Sequence, residues 1–96
     1  MRIEFDSTVT RWNARVDSWF FATLPEELSL DIRELPAPPR GFGSLRVRAR
    51  IGHTQWSTSI FFSGSAFVLP LKKQVRMEQG IEEGDIVTVD LEILDV

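Results

Sequence analysis

Strict alternation in two segments limits what this chain can fold into. Residues 44–51, SLRVRARI, put Leu45, Val47, Ala49 and Ile51 at one parity and Arg46, Arg48 and Arg50 at the other. Residues 86–94, IVTVDLEIL, set Val87, Val89, Leu91 and Ile93 against Thr88, Asp90 and Glu92. Successive side chains of a strand point to opposite faces, so only an extended chain gathers each apolar set on one side. A helix would scatter the same residues around its circumference. The opening segment repeats the rhythm, with Ile3, Phe5, Ser7 and Val9 facing one way and Glu4, Asp6, Thr8 and Thr10 the other.

The remaining segments fit around these strands. RWNARVDS breaks the first pattern and predicts a bend near Asn13, Asp17 and Ser18. WFFATL, residues 19–24, is an aromatic-rich strand, apolar on both faces, which predicts a covered position with a helix above it. WSTSIFF pairs back onto 44–51 through GHTQ, whose turn type stays open because two of its four residues can belong to the ladder. After SGS, AFVL gives a short strand ending at Pro70. TLPEELSLDIRELP predicts a helix: Thr23 and Glu26 are spaced as a capping box, Leu28, Ile32 and Leu35 share a face, and Pro36 stops it. PAPPRGFG, residues 36–43, is then a stiff connector followed by a flexible one. LKKQVRMEQG predicts a second short helix with Pro70 at or near its start, Leu71 and Val75 on one side and Gly80 as C-cap. EEGD turns the chain into the last strand. The sum is a mainly β fold: one domain over residues 1–96, a small closed or nearly closed β-barrel of about six or seven strands with two short helices. Closure removes exposed edges. Burial of a Leu-sized side chain contributes about 1.5–3 kcal/mol, against about 0–1 kcal/mol for an exposed ion pair, so the packed inner face dominates the energetics.

Composition narrows function by exclusion. A chain of 96 residues with net charge −3 and pI 5.1 attracts neither nucleic acid nor an acidic membrane non-specifically. It has no cysteine, hence no disulfide, thiolate nucleophile or zinc–sulfur site. Its single histidine cannot build a histidine cluster, and no Asp/Glu spacing suggests a metal site, so no metal and no cofactor are expected. The start MRIEFDS lacks the apolar stretch of a signal peptide, and no segment is long enough to span a membrane, so a cytoplasmic location is expected.

The candidate site residues are mostly cations and tryptophans. Lys72, Lys73 and Arg76 share a broad helical face and can hold an anion, Arg76 through its fixed fork. The competing role is a solvated face, with Arg76 paired to Glu78, Glu82 or Glu83. Trp19 and Trp56, with Trp12, can line a pocket beside these cations, although such rings more often fill a core or cover a barrel end. Arg46, Arg48 and Arg50 form a second stripe able to contact phosphates. They are absorbed instead if Glu4, Asp6, Asp90 or Glu92 lies on a neighbouring strand. His53 is expected in an exposed turn. No nucleophile elbow accompanies Ser57, Ser59, Ser63 or Ser65, so no catalytic residue is assigned. Asp85 fixes the Gly84 turn through local backbone bonds. GFG at 41–43 lacks the lysine and spacing of a phosphate loop.

The order WSTSI, SGSAFVLPLKKQVR, GIEEGDIVTVDLE resembles the bacterial domain-of-unknown-function family numbered 1905. Members of that family carry a hairpin, a helix reading lysine, one or two residues, valine or leucine, arginine, and a glycine–aspartate turn into a final strand. Lys73, Val75, Arg76, Gly84 and Asp85 stand at those positions. The resemblance implies a small β-barrel with helical insertions and no established activity, cofactor or catalytic residue. GIEEGDIVTVDLE also resembles the end of the swapped-hairpin DNA-binding folds of transition-state regulators and antitoxins. The expectation is therefore a non-enzymatic module that binds a small molecule or a protein partner. The alternatives are a nucleic-acid binder using Arg46, Arg48 and Arg50 with Lys72, Lys73 and Arg76, and an enzyme of unknown class. An outward Phe61 or Phe62 would mark a homodimer surface.

Overall fold

The computed structural model describes residues 2–13, 18–34 and 44–94. Its elements are β1 (Arg2–Asn13), β2 (Ser18–Thr23), α1 (Glu26–Arg33), β3 (Leu45–Ile51), β4 (Thr54–Ser63), β5 (Ala66–Pro70), α2 (Lys73–Gln79) and β6 (Ile86–Ile93). The six strands close into an antiparallel barrel in the order β1-β2-β5-β4-β3-β6. The alternating segments behave as their parity requires. Val47, Ala49 and Ile51 of β3 and Val87, Val89, Leu91 and Ile93 of β6 are buried in one core with Phe5 and Val9 of β1. Arg46, Arg48 and Arg50 lie outside. Ile60, Phe67 and Leu69 complete the wall from β4 and β5, and the helices supply Ile32 and Val75.

Both hairpins flanking β4 use two-residue turns. Ile51 pairs with Thr54, leaving Gly52 and His53 in the first turn, and Ser63 pairs with Ala66, leaving Gly64 and Ser65 in the second. Gly52 and Gly64 have φ of 61° and 69°, as tight hairpin turns need. Half of GHTQ thus belongs to the ladder. His53 is exposed in its turn.

Three local expectations are corrected. β1 runs on to Asn13, because Arg11 and Trp12 pair with Phe20 and Trp19 of β2. Thr23 is the last residue of β2, paired with Val68, so it cannot cap a helix. α1 begins after Pro25, with no side-chain cap, and Glu26 accepts a hydrogen bond from Ser65 Oγ at 2.7 Å instead. Leu35, Pro36 and the PAPPRGFG connector lie outside the described residues. As expected, Pro70 ends β5 and lies near the start of α2, whose N-cap is Lys72. The outer face of β2 is covered by aromatic rings, not by a helix. Phe21, 3% exposed, lies 4.6 Å from Trp12, 6.4 Å from Trp19 and 5.9 Å from Phe61, centroid to centroid.

The helices sit at opposite ends of the barrel. α1 follows β2 at the end where β5 begins. There Ser29 Oγ accepts the Phe67 N–H at 3.0 Å, and Leu24 N donates to the Phe67 carbonyl at 2.9 Å. α2 connects β5 to β6 at the other end. It is fastened to the β3–β4 hairpin through Thr54, whose Oγ1 donates to Glu78 Oε2 at 3.0 Å and accepts from Gln79 Nε2 at 2.8 Å. Gly80, at φ 63°, closes α2 in the left-handed conformation, and Ile81 is buried as its N–H reaches the Arg76 carbonyl at 2.9 Å.

Candidate anion-binding site

The strand-to-helix corner at Pro70–Lys73 is built from sequence-local constraints. Leu71 is buried, and its N–H donates to the Phe20 carbonyl at 2.8 Å, which ties the corner to β2. Lys72 is still extended, at φ −63° and ψ 151°, and the helix turns from Lys73. One turn later Arg76 comes back over the corner. Its Nε donates to the Leu71 carbonyl at 3.2 Å, and its guanidinium carbon lies 3.9 Å from the centroid of the Phe20 ring. A guanidinium held by a ring face and a carbonyl has little left to lose in ordering when it meets an anion. Arg76 therefore pairs with Phe20, not with Glu78, Glu82 or Glu83.

Around that guanidinium lies a hollow of about 320 Å³ lined by Trp19, Phe20, Pro70, Leu71, Lys72, Lys73 and Arg76. Its walls are mostly apolar and its charged groups are all cations. The structure so brings together Trp19, Lys72, Lys73 and Arg76, four of the five pocket positions that the sequence singles out. Trp56 is not among them. It faces the barrel interior opposite Ala49 and borders a separate hollow of about 310 Å³, which it shares with Lys72 and the Thr54–Glu78 link. Its buried indole Nε1 has no acceptor among the described residues. A third hollow of about 530 Å³ runs past Arg46, Ser57, Ser59 and Phe61, and again ends at Lys72. Lys72 is the side chain common to all three. Trp12 and Trp19 are 49% and 53% exposed, so they coat the outside of the barrel rather than fill its core.

The arginine stripe of β3 is engaged by β6. Arg48 Nη1 meets Glu92 Oε1 at 2.8 Å and Arg50 Nη2 meets Asp90 Oδ2 at 3.0 Å, each directly across the strand pair. Arg2 of β1 grips Asp90 from the other side, with Nε to Oδ1 at 3.0 Å and Nη2 to Oδ2 at 3.1 Å. The hydrogen bond from Arg2 chiefly holds the Asp90 carboxyl below the usual carboxylate range, and it raises the Arg2 guanidinium in turn. Arg46 also has an interaction partner. The hollow beside these residues, about 210 Å³, is lined by both signs of charge.

Other candidates resolve into local structure. Asp85 Oδ2 accepts the Glu82 N–H at 2.8 Å and so braces the turn at Gly84, whose φ is 90°. Phe61 faces outward onto Phe21. Phe62 packs against the core, edge-on to Phe67 at 5.3 Å, with the Arg33 guanidinium 4.6 Å above it. GFG at 41–43 lies outside the described residues. Among the described residues no three His, Asp or Glu side chains converge as metal ligands, and no helix is long and apolar enough to cross a membrane. Sequence reasoning missed Phe20, the ring that fixes Arg76. The two are far apart in the chain, and no spacing rule connects them.

The family model described as a domain of unknown function, DUF1905, matches residues 5–91. The chain belongs to the DUF1905 family. No curated protein matches it. The match begins within β1 and ends within β6, so this DUF1905 domain is the whole barrel with both helices. The resemblance carried by Lys73, Val75, Arg76, Gly84 and Asp85 is thereby borne out at the level of family and fold.

Proposed function

We propose that this DUF1905 domain is a non-enzymatic binding module for a small anion with a flat apolar body, such as an aromatic carboxylate or phosphate. One observation carries the reading: Arg76 is stacked on Phe20 and tethered to the Leu71 carbonyl inside a hollow walled by Trp19 and Pro70. A volume of about 320 Å³ is at the lower end of small-ligand sites, which run from about 300 to 1,000 Å³. Arg76 binds the anionic group through its remaining N–H donors, Lys72 and Lys73 add charge, and Trp19 stacks on the flat body. The lining includes no carboxylic acid, histidine or hydroxyl to act as a general acid–base pair, which favours holding over chemistry. The nucleic-acid alternative asks for a free arginine stripe, and the Arg48–Glu92 and Arg50–Asp90 pairs weigh against it.

Titration calorimetry with benzoate, indole-3-acetate and phenyl phosphate, with benzamide as the neutral control, tests this. At least one anion binds saturably and benzamide does not. Arg76→Gln weakens that binding about tenfold or more, the loss expected for a charge-assisted hydrogen bond. Absence of saturable binding by every anion, or binding indifferent to Arg76→Gln, overturns the proposal.

A further inference from the structure

The wall of the barrel is incomplete along one side of β4. β3 pairs with β4 from Thr54 to Ile60, whereas β5 pairs with it only from Phe61 to Ser63. Register fixes which groups are left over. In a two-residue hairpin the flanking residues form a doubly hydrogen-bonded pair, and such pairs recur at every second residue. Starting from Ile51↔Thr54, the residues Thr54, Trp56, Thr58 and Ile60 direct their backbone N–H and C=O to β3. Starting from Ser63↔Ala66, Ser63 and Phe61 direct theirs to β5. Ser57 and Ser59 share the parity of Phe61, so their N–H and C=O groups point out past the end of the β5 ladder. The Ser57 carbonyl confirms this direction, since it accepts a bond at 3.4 Å from Lys72 Nζ, which lies beyond that edge. The chain cannot complete the ladder itself. Continuing the β4–β5 register would set Pro70 beside Ser59, but Pro70 has no N–H to give that side of the ladder, and β5 ends there.

We propose that the β4 edge at Ser57–Ser59 receives an extended, acidic segment of a partner protein by strand addition. Alternating outward N–H and C=O groups at strand spacing are matched by another backbone and by little else. The adjoining groove, about 530 Å³, gives that backbone room, and its charged side chains are Arg46 on one flank and Lys72 on the other. Phe61 forms its apolar end. An acidic side chain on the incoming strand replaces the long Lys72–Ser57 contact with a charge-assisted one. This edge is distinct from the Arg76 hollow and shares only Lys72 with it.

The test uses the acetylated, amidated peptide Thr-Val-Glu-Val-Thr, its Gln-for-Glu version, and versions N-methylated at alternate residues in each frame. Binding is followed by amide shifts and hydrogen exchange in the ¹⁵N-labelled domain. The acidic peptide binds saturably and slows exchange at Ser57 and Ser59. N-methylation in one frame weakens it about fivefold or more, the loss of about one backbone hydrogen bond. The Gln peptide and the Lys72→Ala domain show a similar loss, while Arg76→Gln leaves peptide binding unchanged. No peptide binding, binding indifferent to N-methylation in both frames, or shifts confined to Trp19 and Arg76 overturns the inference. The last of these outcomes leaves the small-anion reading standing.

Discussion

Ser29 shows how one polar residue can hold a helix to a barrel. It sits within the apolar face of α1, fully buried, and its Oγ accepts the N–H of Phe67 at 3.0 Å. That N–H lies at the start of β5, just past the end of its ladder with β2, where α1 takes the place of a neighbouring strand. Ser29→Ala leaves a buried backbone donor without an acceptor, a loss of about 1–3 kcal/mol in unfolding free energy. Chemical denaturation checks this, and the neighbouring exposed Leu30→Ala serves as the near-neutral comparison. Nothing in the sequence distinguishes Ser29 from a solvated helix serine, because its partner lies beyond a connector and two strands. Phe20 is illegible for the same reason. The roles of Asp85 and Gly80 were legible, since their partners are within the same turn or helix.

At the scale of elements, what could be read was whatever obeys a fixed period. β3 and β6 emerged with their apolar sets facing the core, Leu45 only half-buried, because parity alone decides facing once one side is dry. Their pairing with each other was conditional in the sequence, and the register Arg48↔Glu92 and Arg50↔Asp90 meets the condition. Boundaries fared worse where two signals overlapped. Thr23 fits both a strand end and a helix cap, and ladder pairing with Val68 took precedence over capping. β6 also carries a pH-dependent element, because Asp90 is clasped between Arg2 of β1 and Arg50 of β3. Its carboxyl is held below its ordinary range when folded, first by the Arg2 hydrogen bond. A depressed carboxyl stabilises the fold above its unfolded pKa, and that contribution fades as pH falls through the folded value. Asp90→Asn therefore lowers the melting temperature at neutral pH, and the gap from wild type closes in acid. The effect is small, because Arg2 and Arg50 are 67% and 49% exposed and water screens them. Melting curves across the acid range check it, and a gap that widens as pH falls would contradict the assignment.

As a whole molecule, the β4–β5 ladder stops short beside Ser57–Ser59, and Lys72 stands at that seam. The two proposed grips lie on either side of it. One lies against Arg76 and Trp19, and the other lies along the β4 edge. A single ammonium cannot neutralise an anion in both at full strength. Occupation of one site therefore weakens the other, and linkage requires the two factors to be equal. Sharing one charged hydrogen bond implies a factor of about ten or more. The measurement is a pair of titrations, the acidic peptide into domain saturated with the aromatic anion and the anion into domain saturated with the peptide. Both dissociation constants rise by the same factor, and Lys72→Ala removes the coupling while weakening each ligand alone. Independent binding in wild type would show that Lys72 serves only one of the two sites, and the seam would then be two separate surfaces rather than one device.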